Sequence, residues 1–217
     1  MAELVTVPIS FFEVTFDYAR PNLALWGDKA PIVQALFDVL EPWNPQIDDI
    51  EFPNAGKLSE QGIVMKLPLK RVTLFFGPAF CRFSRDAVDW NLAAETIEIF
   101  DAATSAYVGL SGVPIGAKKT AVGLHLQPNS MPFLEVLSPF MPPRLGALEN
   151  APLRTMAIVA KWDKRRVTLD GSGSIANALF LKFEREFEGS ATSQEMAAQL
   201  LKDEEDLFAM LGVREDR

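Results

Sequence analysis

The sequence predicts an α+β fold, a curved and mostly antiparallel sheet with long helices on one face. Two observations carry this expectation. A strand with period-two alternation opens each half of the chain, and an amphipathic helix closes each half. A third observation sets the organisation. The order strand, helix, several strands, long helix occurs twice, so 1–217 reads as one domain holding two candidate repeats, 1–112 and 113–217.

The first strand is expected over about 5–19. Phe12, Val14, Phe16 and Tyr18 fall on one side of it, and Phe11, Glu13, Thr15 and Asp17 on the other. A helix follows, with Pro31 in its first turn, where a missing donor costs nothing. Ile32, Ala35, Leu36, Val39 and Leu40 form its apolar stripe, and Pro42-Trp43 ends it. Ile47–Phe52 reads as a short strand and Asn54-Ala-Gly56 as a turn. Gly62–Leu69, Arg71–Phe76 and Ala79–Ser84 read as further strands, punctuated by Gly77-Pro78. The clearest helix then runs from an Asp89 N-cap, with Leu92, Thr96, Phe100, Ala103, Tyr107 and Leu110 on one stripe and Gly109 and Gly112 as the stop.

After Gly116 the pattern restarts. Val122, Leu124 and Leu126 alternate with Gly123, His125 and Gln127, a strand. Residues 131–150 read as a helical stretch broken by Pro139, Pro142 and Pro143. Leu153–Trp162, Arg166–Leu169 and Ile175–Phe187 read as strands, with a Gly171-Ser-Gly173 turn. The last helix opens on Thr192-x-x-Glu195, a capping-box spacing. Met196, Leu200, Leu207 and Leu211 share its buried face, Phe208 lies beside it, and Gly212 ends it.

Composition narrows the function classes. Hydrophobic residues make up 48% and charged residues 23% of 217, which excludes a disordered chain. Cys81 is the only cysteine, so no internal disulfide forms and a reducing, cytoplasmic location is expected. No basic and apolar leader and no membrane-length apolar run is found, so no membrane partner is expected. The net charge of -8 is uneven. Residues 1–112 carry 8 basic and 15 acidic side chains, residues 113–166 carry 8 and 3, and residues 167–217 carry 5 and 11. The acidic ends speak against broad nucleic-acid binding, and no nucleic-acid partner is expected. The basic middle leaves a local anionic contact open, although Lys118, Lys119, Lys161, Lys164, Arg165 and Arg166 read most simply as residues of solvated turns.

The element order is similar to that of TATA-binding-protein-like and helix-grip folds. That similarity implies that the first strands of the two repeats lie side by side. Phe11-Phe12-Glu13-Val14-Thr15-Phe16, Trp90 heading a long helix, Ala121-Val122-Gly123-Leu124-His125 and the closing acidic helix resemble a sporadically distributed family of uncharacterised bacterial proteins. In that family the middle strand carries Arg-Tyr-Asn-like residues, where His125 and Gln127 stand here. The resemblance implies fold and cytoplasmic location and brings no activity with it.

Chemistry-bearing patterns are few. Gly171-Ser-Gly173-Ser174 lacks the features of a phosphate loop and reads as a turn. One Cys and one His cannot build a zinc site, no metal is expected, and no cofactor is called for. Asp203-Glu-Glu-Asp206 reads as a solvated helix face. Cys81, between Phe80 and Arg82-Phe83, reads as a buried inert thiol rather than a nucleophile, and His125 has no nucleophile-elbow motif beside it. The remaining candidate set is Glu13 and Asp17 on the polar side of the first strand, with His125 and Gln127 on the polar side of the strand that opens the second half. If those strands pair, a carboxylate beside His125 would raise its pKa and orient its ring, making a ligand or partner site. The expected function is a non-enzymatic cytoplasmic protein acting through protein–protein interaction, homo-oligomerisation included. The alternative is a small-ligand binder with an apolar pocket lined by some of its 16 phenylalanines. Enzymatic activity is left open, with no catalytic residue assigned.

Overall fold

The computed structural model describes residues 2–23, 27–53, 61–87, 93–141 and 156–216. The chain is α+β, with a large, mostly antiparallel sheet. The first half runs β1 (Glu3–Tyr18), α1 (Ala30–Leu40), β2 (Ile50–Glu51), β3 (Ile63–Leu67), β4 (Val72–Phe76), β5 (Phe80–Asp86) and α2 (Ala93–Ser111). The second runs β6 (Ile115–Pro128), α3 (Phe133–Leu137), β7 (Ile158–Lys161), β8 (Arg165–Gly171), β9 (Leu179–Glu188), α4 (Ser193–Leu211) and β10 (Val213–Glu215). The strand order is β2-β3-β4-β5-β1-β6-β9-β8-β7, and β10 lies parallel beside the start of β1. The expected turn at Asn54–Gly56, the Asp89 cap, Trp90, Leu92 and the breaks at Pro142 and Pro143 lie outside the described residues.

The chain forms two compact units. The first comprises Met1–Ser10, Val122–Glu184 and Leu200–Arg217, and the second Phe11–Ala121 and Arg185–Gln199. Their boundaries cut β1, β6, β9 and α4, so each unit draws on both halves of the sequence.

In the second unit the alternation of β1 sets the core. Val14, Phe16 and Tyr18 are buried, and across the ladder they meet the buried residues of β5 in the pairs Val14↔Phe83 and Phe16↔Cys81. The same phase continues outward through Leu74↔Phe83, Phe76↔Cys81, Ile63↔Phe76 and Met65↔Leu74. The stripe of α2 supplies Thr96, Phe100, Ala103 and Tyr107, all buried, while Leu110 at its end is exposed. Aromatic rings carry the contact, since Phe83 stacks on Phe100 at 5.0 Å and Phe76 lies 5.0 Å from Tyr107. Such pairs add stability beyond the area they bury. Gly112 ends α2 with φ +59, a left-handed conformation open to glycine at little cost.

In the first unit the buried residues are Val122, Leu124 and Leu126 of β6, Val167 and Leu169 of β8, Leu179, Leu181 and Phe183 of β9, and Leu200, Leu207 and Leu211 of α4. On β1 the buried positions there have the opposite parity. Val5 is buried, whereas Val14, Phe16 and Tyr18 are buried further on. The alternation read for Phe11–Tyr18 therefore does not extend back to Val5.

The cap of α4 forms as its spacing demands. The Thr192 amide donates to Glu195 Oε2 at 2.8 Å, and the Glu195 amide donates to Thr192 Oγ1 at 3.2 Å. The Thr192 amide and hydroxyl, both donating to Glu195 Oε2, hold that carboxyl below the usual range. One expectation for α4 is corrected. Asp203 and Glu204 are buried rather than solvated, and only Glu205 and Asp206 of that run are exposed. Asp203 is buried because Arg165 of β8 reaches it, Nη1 to Oδ1 at 3.7 Å, a partner far away in sequence.

Candidate functional site

The four side chains singled out in the sequence fall in two places. Glu13 and Asp17 sit on β1 in the second unit, and His125 and Gln127 on β6 in the first. Glu13, Asp17 and His125 are each engaged by neighbours of their own unit.

Glu13 and Asp17 alternate with the core residues of β1, so they belong to the sheet face that the core does not use. There Glu13 Oε1 is ion-paired with Arg82 Nε at 3.6 Å, and Lys119 Nζ donates to Asp17. The Asp17 bond raises the Lys119 pKa. Arg82 lies opposite both Phe75 and Thr15 in the ladders, and its guanidinium sits 5.1 Å over the Phe80 ring. Phe75 and Phe80 are 5.3 Å apart. A methyl at Gly62 would fall 2.8 Å from the Phe75 ring and one at Gly77 2.7 Å, so two glycines make room for that ring against the backbone. Every charge named on this patch has an opposite partner, and the patch is neutral.

His125 does not acquire a raised pKa. Its Nδ1 lies 2.8 Å from Ser172 Oγ, and its ring packs 5.0 Å from Phe180. Ser172 Oγ already accepts from the amides of Ser174 at 3.2 Å and Ile175 at 2.9 Å, so the hydroxyl proton points to Nδ1. The imidazole is then neutral with its own proton on Nε2. Partial burial lowers its pKa, and the expected carboxylate neighbour is replaced by a hydroxyl. A Ser172 oxygen committed to two amides is a turn-former, and the Gly171-Ser-Gly173 segment is the turn that the sequence indicates.

Other candidates resolve into structure. Cys81 is fully buried, and burial pushes its thiol up to about 12, which fits an inert core residue. Lys118 donates to the Ala191 carbonyl and lies 5.0 Å over the Phe16 ring, with burial lowering its pKa. Ser193 Oγ donates to Asp101 Oδ1 at 2.5 Å, tying the start of α4 to α2. Among the described residues no three or more His, Cys, Asp or Glu side chains gather as a metal site.

The basic segment that the sequence reads as a solvated turn is the β7–β8 hairpin of the first unit. Its tip is Lys161-Trp162-Asp163-Lys164-Arg165-Arg166. The Trp162 amide closes the turn on the Arg165 carbonyl at 2.7 Å. Trp162 is 55% exposed, and the Arg165 guanidinium lies 5.6 Å over its ring. Register places Lys161 directly opposite Arg166, like charge against like, which is destabilising in a ladder. Glu184 lies 3.7 Å from Arg166 but also binds Lys182 at 2.8 Å, so Arg166 and Lys182 share one carboxylate. The signal was present in the sequence as a basic run interleaved with a tryptophan. It reads as a solvated turn until the ladder register is known.

No protein-family model matches the chain, and no curated protein does. Among solved structures, one similar chain is titled "Structure of Rolling Circle Replication Initiator Protein from Geobacillus stearothermophilus". It is 10% identical at a TM-score of 0.36, and the match covers 92% of this chain and 80% of that one. Against this neighbour two expectations are corrected, namely action through protein–protein interaction or an apolar ligand pocket, and the exclusion of nucleic acid. The physical reasons lie in this chain. The exclusion rested on the acidic ends and took the basic residues 161–166 for solvated turns. The pocket was to be lined by phenylalanines, yet Phe16, Phe76, Phe83 and Phe100 are spent on packing against one another. A likeness at this level carries no argument for a function. Among the described residues no helix is long and apolar enough to cross a membrane.

Proposed function

We propose that this chain binds nucleic acid through the β7–β8 hairpin. The observation that carries the reading is the like-charge pair in the hairpin ladder. Lys161 faces Arg166 across the hairpin, and the carboxylate beside Arg166, Glu184, is shared with Lys182. A cross-strand like-charge pair is a local cost, and local costs of this kind belong to sites where function demands them. A phosphate backbone relieves that repulsion and releases counterions as it does so. The acidic remainder of the chain, which brings the total to -8, confines the attraction to this hairpin.

The test is fluorescence anisotropy with a labelled oligonucleotide over a series of salt concentrations. Binding is expected at low salt, weakening as salt rises. The double variant Lys161→Gln/Arg166→Gln is expected to lower the slope of log K against log salt by about 1–2, the contribution of two phosphate contacts. Absence of binding at low salt, an unchanged slope in the variant, or binding only to vesicles of anionic lipid would overturn the proposal.

A further inference from the structure

Resting on that reading, the geometry points to a narrower ligand class: single-stranded nucleic acid, with one unpaired base stacked on Trp162. Three observations converge on it. The indole is more than half exposed, although tryptophan is the largest apolar side chain and burying it is the favourable choice. It is held in place rather than left loose. Arg165 lies over its ring at 5.6 Å, and Arg165 is itself fixed by the buried Asp203 of α4 at 3.7 Å. Its neighbours are the cations that a sugar–phosphate chain requires, Lys161 before it and Arg166 four residues after it, opposed at the base of the turn. A flat ring beside a cationic track is the arrangement that binds single strands. Every base offers a face for stacking, whereas a base inside a duplex has both faces occupied. Phosphates on Lys161 and Arg166 fix the backbone, and the base takes the open surface of the indole.

The position of Asp203 fits this arrangement. The tip itself exposes one carboxylate, Asp163, and a second one pairing with Arg165 at the surface would add to the repulsion of a phosphate. With its carboxylate 1% exposed, Asp203 holds the arginine without showing charge to the solvent.

The experiment compares a labelled single-stranded oligonucleotide with the duplex of the same sequence, for the full chain and for Trp162→Ala and Trp162→Phe. The single strand is expected to bind on the order of tenfold tighter than the duplex, the worth of one stacked base. Trp162→Ala should lose about that factor on the single strand and leave duplex binding and the salt slope unchanged, while Trp162→Phe should retain most of it. Oligonucleotide should also quench the tryptophan emission that is missing in Trp162→Phe. Equal affinity for both forms, or an unchanged Trp162→Ala, would overturn the single-strand inference and leave nucleic-acid binding standing. No binding to either form overturns both.

Discussion

Each unit carries an arginine laid over an aromatic ring, and the two pairs have different surroundings. In the second unit Arg82 covers Phe80 at 5.1 Å, and its carboxylate partner, Glu13, stands on the same half-exposed sheet face. Lys119 and Asp17 pair beside them, so the face cancels its own charge. In the first unit Arg165 covers Trp162 at 5.6 Å, and its carboxylate partner is buried on a helix. The cations around that ring keep their field. An arginine–aromatic pair therefore says little by itself about binding. Where the compensating carboxylate sits decides whether the patch is closed electrostatically or open to an anion.

The largest expected effect concerns the core beneath the neutral face. Phe100 stacks on both Phe83 and Phe12, and Phe100→Ala is expected to cost ~3–5 kcal/mol. Urea melts of the two proteins measure it. A loss below about 1 kcal/mol would mean that the aromatic ladder of the second unit is not what holds it together.

The next two predictions set the carboxylates of the two arginines against each other. Asp203→Ala removes a buried partner and is expected to cost ~1–3 kcal/mol, because Arg165 is left partly buried without it. Glu13→Ala removes a surface partner at 3.6 Å and is expected to cost less than ~1 kcal/mol. Equal losses in the same melt experiment would erase the distinction between a hidden and a shown carboxylate on which the comparison stands.

The elements themselves were legible in the sequence because their causes are local. The parity of Val14, Phe16 and Tyr18, the stripe through Phe100 and Tyr107, and the Thr192–Glu195 box each follow from residues within a few positions of one another. What stayed hidden depends on distant partners. The run Asp203–Asp206 reads as solvated until Arg165 is known to reach Asp203. The basic residues 161–166 read as a wet turn until register sets Lys161 opposite Arg166. His125 invited a carboxylate partner because one existed on a strand of the right phase. The hydroxyl it meets instead, Ser172, comes from a turn 47 residues on.

The smallest effect is the pH dependence of that histidine, and its sign separates the two readings. A carboxylate neighbour would raise the pKa. Partial burial lowers it below the unfolded value of ~6.5, and Ser172 supplies a hydrogen bond to the neutral ring. With the folded pKa lowered, the folded state binds fewer protons than the unfolded state between the two values, so stability rises with pH across that window. His125 thus contributes its full stability above about 6.5, and the contribution is lost as pH falls through the folded pKa. An NMR titration is clean because the chain holds one histidine. The expected midpoint lies below that of a model imidazole, and His125→Gln should flatten the stability profile in the same range. A midpoint above the model value would restore a carboxylate to the His125 environment. It would also place a charge-compensated patch in the first unit, where the comparison of the two arginines finds an excess of positive charge.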